Sequence, residues 1–151
     1  MRFHSPSPHA DDCTATADAA LRAHLARLRQ LRPGLQLHCE DARDACDLTA
    51  QTEIGAGLRL VVLLEGKVDV SYGLTRVALS HTGAGANAAL VAVAERERFT
   101  RRARQGVYSR RVSLGLGPEW LAEAGGDAAA PGLERFLRQH LATQRWQLSP
   151  R

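Results

Sequence analysis

The chain has 151 residues, which is near the usual size of a single domain, and it is 44% hydrophobic but only 5% aromatic, so we expect a core of Leu, Val and Ala. The formal net charge of +4 is spread along the chain and does not by itself indicate a nucleic-acid partner. No apolar run approaches the roughly 20 residues of a membrane span, and the N-terminus lacks the apolar segment of a secretory signal, so we expect a cytoplasmic protein with no membrane partner. Three cysteines without CxxC spacing, Cys13, Cys39 and Cys46, are expected to be free thiols.

Residues 1–15 are polar, contain Pro and Ser and show no periodicity, which is typical of a flexible N-terminal arm. In the next segment, 17–31, Leu21, Leu25 and Leu28 recur at helical spacing and predict a helix over at least part of it. Pro33 and Gly34 then form a turn signal, and from Leu35 onward the hydrophobic period changes to two.

The middle of the chain is predicted to be a series of short β-strands. Alternating apolar residues and intervening turn residues predict strands at 35–40, 48–54, 58–64, 67–72, 75–79, 88–93, 99–104 and 107–116. The segments 58–64 and 67–72 are expected to form a hairpin around Glu65-Gly66. Because no helical segments separate these strands, the pattern favours an antiparallel sandwich or barrel, and a cupin-like jelly roll is the best single prediction.

Two helices are predicted after the strands. Pro118 begins the first, and Pro131 begins the second. The second helix carries one apolar stripe, made of Leu133, Phe136, Leu137, His140 and Leu141. The stripe either packs on the chain's own sheet or pairs with a second copy. The fold class is therefore mainly β with flanking helices (α+β), divided into 1–15 (arm), 16–117 (helix and barrel) and 118–151 (C-terminal helices).

The motifs of common enzymes are absent. Metal-dependent cupins hold their ion through an HxH pair, and the six histidines of this chain are scattered without such a pair. The sequence also lacks GxSxG and a P-loop. We therefore expect no catalytic residues, no metal and no cofactor. A small cupin-fold enzyme without the usual metal motif remains the alternative.

Arginines are concentrated between residues 95 and 111, either as the solvated face of a hairpin or as an anion or nucleic-acid site. By alternation, Arg101 shares the face of Phe99 and Ala103, whereas Arg110 shares the face of Tyr108 and the following apolar residues. A buried arginine needs an internal carboxylate or an anionic ligand. The predicted ligand-binding residues are Arg101, Arg110, Tyr108 and Tyr72.

Three segments together resemble the N-terminal half of AraC-type bacterial transcription regulators, in particular the branch typified by the pyochelin-siderophore regulator. They are LRLVVLLEGKVDVSYG (58–73), YSRRVSLGLGPEWL (108–121) and LERFLRQHLATQRWQLSPR (133–151). The resemblance implies a cupin-like domain that binds a small-molecule effector, such as a ferric siderophore or another metabolite. It also implies a homodimer, for which the apolar stripe is the expected interface. DNA would be bound only by a helix-turn-helix domain that this sequence does not contain, so the chain is either a fragment or a natural truncated protein.

Overall fold

The computed structural model describes residues 27–83, 85–125 and 131–149. Within them lie nine strands and two short helices. The strands are β1 (Arg29–Arg32), β2 (Leu35–Arg43), β3 (Leu48–Ile54), β4 (Gly57–Tyr72), β5 (Thr75–Ser80), β6 (Ala88–Val93), β7 (Glu97–Ala103), β8 (Tyr108–Leu116) and β9 (Thr143–Trp146). The helices are α1 (Pro118–Gly125) and α2 (Pro131–Arg138). The mainly β class is confirmed, and the cupin-like jelly roll stays a prediction.

All strand pairs are antiparallel, and the long strand β4 divides the open sheet into two parts. We call the first part sheet I; its strand order is β1-β2-β8-β4-β6-β9. The first part of β4, up to Gly66, belongs to it through pairing with β6 and β8. Sheet II contains the remainder of β4, which pairs with β5 and β7, and β3 at its edge.

The hairpin expected within residues 58–72 is wrong, because the two segments form one continuous strand and pair with different neighbours. In place of a turn, the register with β8 shifts between Leu63 and Glu65, as at a β-bulge. Gly66 has a φ of 85°, and a Cβ there would lie 1.9 Å from the Tyr108 carbonyl oxygen. A glycine is therefore required by the close approach of β8 and not by a chain reversal.

The termini of the described region also differ from expectation. Arg27 is helical, but β1 begins at Arg29, so the predicted helix does not extend to Leu31. Residues 17–26 lie outside the described residues, as do the predicted arm and Cys13. At the other end, α2 ends at Arg138 and is followed by β9, a strand that the sequence pattern did not predict. His140 and Leu141 therefore lie beyond the helix, in the connection to β9.

The apolar core lies between the two sheets. Its buried members are Val61, Leu63, Val68, Val70, Tyr72, Val77, Leu79, Ala89, Val91 and Val93, with Ile54, Phe99 and Leu141 packed against them. The alternation predicted for 67–72 is confirmed, because Val68, Val70 and Tyr72 are all buried. Cys46 is also buried and is disulfide-bonded, so the expectation of three free thiols is wrong; Cys39 is free and exposed. Among the described helices, none is long and apolar enough to cross a membrane.

Candidate functional site

Charged and polar side chains are buried at the end of the core where β2 and β8 face β3 and β7. On β8 the buried residues are Ser109 and Arg111, whose side chain is 7% exposed, whereas Arg110 is exposed. The sequence analysis placed Arg110 inward because it shares a face with Val112, Leu114 and Leu116. Those apolar residues instead line the outer face of sheet I, so the inward face of β8 is the opposite one.

Arg111 is held by two side chains on the same face. Its guanidinium donates to Glu40 Oε2 at 2.9 Å and to Ser109 Oγ at 2.7 Å. Glu40 lies directly across from it on β2, and His38 Nε2 lies 3.5 Å from the same carboxylate oxygen, with His38 only 3% exposed. Burial lowers the pKa of Arg111, and the neighbouring Glu40 carboxylate opposes that change.

A second ion pair lies beside the first. The Arg101 guanidinium donates to Asp44 Oδ1 at 2.8 Å, with the two side chains 22% and 16% exposed. Within the described part of the chain, the buried Arg101 Nε has no hydrogen-bond acceptor. The backbone of Asp44 is fixed by bonds with Gly106 and Val107 in the β7–β8 loop. The arginine of β7 and the loop that follows β2 are thereby tied together.

Tyr72 borders the ion pair of Arg111, and Arg59 lies beside Tyr72. Tyr72 is 3% exposed and packs against Phe99, with 5.2 Å between ring centroids, and burial raises its pKa to about 12. Arg59 donates to the backbone carbonyls of Gly55 and Leu58, at 3.1 and 3.3 Å. Burial lowers the pKa of Arg59, and Tyr72 acts in the opposite direction.

We call this group the buried charge cluster; its members are His38, Glu40, Asp44, Tyr72, Arg101 and Arg111, and the half-buried Arg59 lies at its border beside Tyr72. Arg101 and Arg111 are each bonded to one carboxylate, whereas among the described residues the Arg59 guanidinium donates to backbone carbonyls. With Arg59 counted, three guanidinium groups accompany two carboxylates, which is a positive excess before any charge on His38 is counted. Chemically, such an arrangement favours binding of an anionic group.

Two surface concavities, of about 370 and 790 Å³, lie away from the buried charge cluster, because no described residue that lines them belongs to it. The larger is a groove beside the β4–β5 turn, bordered by Gly73, Arg98 and Leu141. Ionic groups removed from water are a stronger sign of a recognition site than an open groove at a loop.

Two of the predicted ligand residues lie outside the cluster. Tyr108 is on the outer side of β8, where its hydroxyl donates to Asp41 Oδ1 at 2.5 Å and the Arg43 guanidinium lies 5.5 Å from its ring centroid. The hydrogen bond to Asp41 raises the pKa of Tyr108. Arg110, two residues along the strand, is exposed on that side as well.

The residues of the predicted apolar stripe lie in different environments, and the last two of them lie beyond the end of α2. Leu133 is 37% exposed, whereas Phe136 and Leu137 are half-buried. His140 accepts a hydrogen bond from the Ala94 backbone N–H at Nδ1 (3.2 Å), and its Nε2 lies 2.9 Å from Glu97 Oε2. Leu141, at a φ of 62°, packs against the core.

Comparison with known families gives an independent result. The family model described as "Regulatory protein PchR N-terminal domain" matches residues 22–151, which is most of the chain. The chain belongs to the PchR N-terminal domain family. No curated protein matches this PchR-family domain. The family result confirms the resemblance seen in the sequence and supports a regulatory domain over an enzyme.

Four residues were predicted as ligand contacts in this PchR-family domain, and the structure brings two of them together, Arg101 and Tyr72. It does not bring Tyr108 or Arg110 to them. The sequence analysis missed Arg111 and Glu40, although one signal was present: a polar residue alternates with apolar ones on both β2 and β8. No described group of three His, Cys, Asp or Glu side chains is placed to hold a metal ion.

Proposed function

We propose that this PchR-family domain is the effector-sensing and dimerisation domain of a cytoplasmic AraC-family transcription regulator. It would control DNA binding by a helix-turn-helix domain outside this sequence. The observation that carries the proposal is the buried charge cluster, found within a domain of a regulatory family. Burying ionic groups is costly, and apolar residues of similar volume often stabilise a core better. A binding role explains why the charges are there.

The proposed effector carries at least one anionic group, for example a carboxylate or a phenolate. Arg59 would bind this group, because its present acceptors are neutral carbonyls that a charged acceptor can replace with a stronger hydrogen bond. Tyr72 lies beside Arg59, and Arg101 lies further along the cluster, beside Arg111. A ferric siderophore or another small metabolite with these groups fits the family resemblance. Tyr108 and Arg110 would serve only a ligand on the outer side of sheet I.

The dimerisation part of the proposal rests on α2. Leu133 is exposed, and Phe136 and Leu137 are incompletely buried, so these three side chains are available to a second copy. His140 and Leu141, the other members of the predicted interface, would act by fixing α2 to the core. A change from Phe136 to Glu is expected to convert a micromolar dimer toward monomer, because in a symmetric interface the change acts twice.

Effector binding can be tested by thermal unfolding in the presence of ferric siderophores and aromatic carboxylates. A ligand that binds only the folded state raises the unfolding temperature, and the stabilisation grows with the logarithm of the ligand concentration relative to its Kd. For any compound that does so, Arg59→Gln is expected to weaken binding about tenfold or more, because it removes a charge-assisted hydrogen bond. Arg110→Gln is the matched control and is expected to leave binding unchanged. If Arg59→Gln binds the compound as tightly as the wild type, Arg59 and the buried charge cluster are not the effector-binding site.

A further inference from the structure

The arginine-rich segment between residues 95 and 111 is divided between the interior and the surface. Arg101 and Arg111 belong to the buried charge cluster, whereas Arg98, Arg102 and Arg104 are exposed. The sequence leaves two interpretations of this segment, the solvated face of a hairpin and an anion or nucleic-acid site. The proposed function uses only the buried arginines, so the exposed ones require an explanation of their own.

The exposed arginines lie on the side of sheet II that is turned away from the core. Strand register defines this side, because Ser71 lies opposite both Arg76 and Thr100, and Thr100 lies opposite Gln51. By alternation, the side chains that share it are Lys67, Asp69 and Ser71 of β4, Arg76, Ala78 and Ser80 of β5, Arg98, Thr100 and Arg102 of β7, and Thr49, Gln51 and Glu53 of β3. We call these side chains the outer face of sheet II.

Basic groups outnumber acidic groups on and around this face. Arg104 follows β7 and is exposed, Arg96 pairs with Glu53 at the border, and Arg145 donates to the Arg76 carbonyl at 2.9 Å. The basic groups are therefore Lys67, Arg76, Arg96, Arg98, Arg102, Arg104 and Arg145, and the carboxylates are Asp47, Glu53 and Asp69. The excess of positive charge makes an anionic partner favourable.

The carboxylates neutralise only part of this charge. Asp69 is shared by two arginines, Arg76 at 2.7 Å and Arg102 at 3.5 Å, and its pKa is lowered, first by the hydrogen bond from Arg76. Asp47 accepts a hydrogen bond from the Gln105 backbone N–H. Within the described ranges, the basic side chains that form no ion pair are Lys67, Arg98, Arg104 and Arg145.

The basic groups are accessible to a partner. The side chains of Arg76 and Arg102 are 66% and 43% exposed, and Lys67 is exposed as well. Exposed Thr49 and Gln51 supply uncharged hydrogen-bond donors next to the arginines of β7. The residues of the outer face of sheet II include no aromatic side chain on which unpaired bases could stack. Cations with small polar donors are the groups that bind phosphate oxygens of duplex DNA.

We propose that the outer face of sheet II contacts the phosphate backbone of duplex DNA. The inference rests on the proposed function, because a helix-turn-helix domain in the same regulator would hold DNA near this domain and raise its effective concentration. It goes beyond the expectation that DNA is bound only by that helix-turn-helix domain. The proposal commits to DNA over an acidic protein segment because the regulator itself brings DNA to this face.

The dimensions of the face agree with this partner. From Arg98 to Arg104 the chain extends about 20 Å, and successive phosphates of one DNA strand lie about 3.4 Å apart along the helix axis. The arginines of β7 would therefore follow about six phosphates. The major groove admits an α-helix or a two-stranded ribbon, and a four-stranded face is wider than either. The contact would thus be made to the backbone and would not depend on base sequence.

The test is fluorescence anisotropy of a labelled DNA duplex titrated with the full 151-residue chain at salt concentrations between about 50 and 200 mM. With four or five phosphates neutralised, the logarithm of the association constant is expected to fall with the logarithm of the salt concentration at a slope of about −4. That slope corresponds to a loss of affinity of roughly 250-fold over this range.

A triple variant removes charge from the face without breaking a described ion pair. It combines Lys67→Gln, Arg98→Gln and Arg104→Gln, which are exposed positions, so we expect the fold to be retained in circular dichroism. The salt slope should become shallower by about 3, because each phosphate contact contributes about 0.9. Binding at about 50 mM salt should weaken at least tenfold.

The matched control removes the same net charge from sheet I. It combines Arg29→Gln, Arg32→Gln and Arg110→Gln, which are exposed positions on β1 and β8, and it is expected to leave the salt slope unchanged. Equal effects of the two triple variants would show that only net charge matters, which overturns the inference. A chain with no measurable affinity for the duplex at about 50 mM salt overturns it as well.

The remaining outcomes identify the partner and separate this inference from the proposed function. Polyglutamate carries negative charge without the phosphate array of DNA, so it is expected to compete poorly with the duplex. Competition at equal charge concentration would point to an acidic protein segment and overturn the DNA contact. Failure to bind DNA leaves the effector site intact, whereas failure of every siderophore and aromatic carboxylate to bind leaves the DNA contact intact.

Discussion

Replacing Arg111 with methionine tests the energetics of the buried charge cluster. Methionine keeps most of the aliphatic volume and removes the guanidinium that donates to Glu40 and Ser109. Because Arg111 is 7% exposed and the Glu40 side chain 15%, the variant leaves a carboxylate with little access to water. Breaking a buried ion pair on one side costs about 3–5 kcal/mol.

The neighbours of Glu40 decide where in that range the loss falls. His38 Nε2 lies 3.5 Å and the exposed Arg27 guanidinium 3.8 Å from the carboxylate, so some favourable interaction remains. We therefore expect a loss of about 3 kcal/mol in the free energy of unfolding, at the lower end of the range. Removing both partners, in Arg111→Met with Glu40→Met, is expected to restore stability to within about 1 kcal/mol of the wild type.

Urea unfolding followed by far-ultraviolet circular dichroism measures these differences, provided that the dependence on urea stays the same between variants. The adjacent Arg110 offers a matched control: Arg110→Met removes the same group from an exposed position and is expected to change stability by less than about 0.5 kcal/mol. If Arg111→Met and Arg110→Met have equal small effects, the cluster is not a buried ionic site and the reasoning is wrong.

Two further predictions concern other parts of the fold. Gly66→Ala is expected to lower the free energy of unfolding by about 2 kcal/mol or more, because a Cβ would lie 1.9 Å from the Tyr108 carbonyl oxygen. Gly83 also has a positive φ but has nothing within 4 Å of its Cβ position, so Gly83→Ala should lower it by only about 1 kcal/mol. Equal losses in urea unfolding would refute the close contact. The second concerns pH. Because the hydrogen bond from His140 holds the pKa of Glu97 below its usual value, the ionised carboxylate stabilises the fold at neutral pH, and that contribution is lost as the pH falls through the lowered pKa. Glu97→Gln should therefore be less stable than wild type at pH 7. The difference should begin to shrink near the ordinary carboxyl pKa of about 4.3 and disappear only below the lowered pKa of Glu97, and a difference independent of pH would contradict this assignment.

Strand positions could be predicted from the sequence wherever one face of a strand is buried and the other is exposed to solvent. For β3 and β5, alternation and turn residues placed the strands within one or two residues of their observed limits. The same patterns predicted the antiparallel class, because local alternation reports burial directly. A two-residue signal such as Glu65-Gly66 could not be resolved in this way, since it fits both a hairpin turn and a bulge. Only the pairing of β4 with several different strands decides between them.

The site was harder to predict because both faces of sheet I are covered with apolar residues. On β8, the row that includes Val112 and Leu114 was assigned to the interior, which put Arg110 inside and Arg111 outside. In the structure the more apolar face is the outer one, and the inner face carries the ionic groups. Alternation shows which residues share a face but not which face points toward the core. Arg101 was placed with its proper neighbours because sheet II has only one apolar face.

The continuity of β4 links any movement in one sheet to the other. The strand enters sheet I at Gly57 and leaves sheet II at Tyr72, so no loop separates the two sheets along this path. Its single irregularity, between Leu63 and Glu65, lies where the register with β8 shifts. Any movement of one sheet relative to the other would therefore bend β4 at this irregularity. Leu58, Leu60 and Val62 on the outer face of sheet I belong to the same strand as Tyr72, so such a bend would also change the curvature of that outer face.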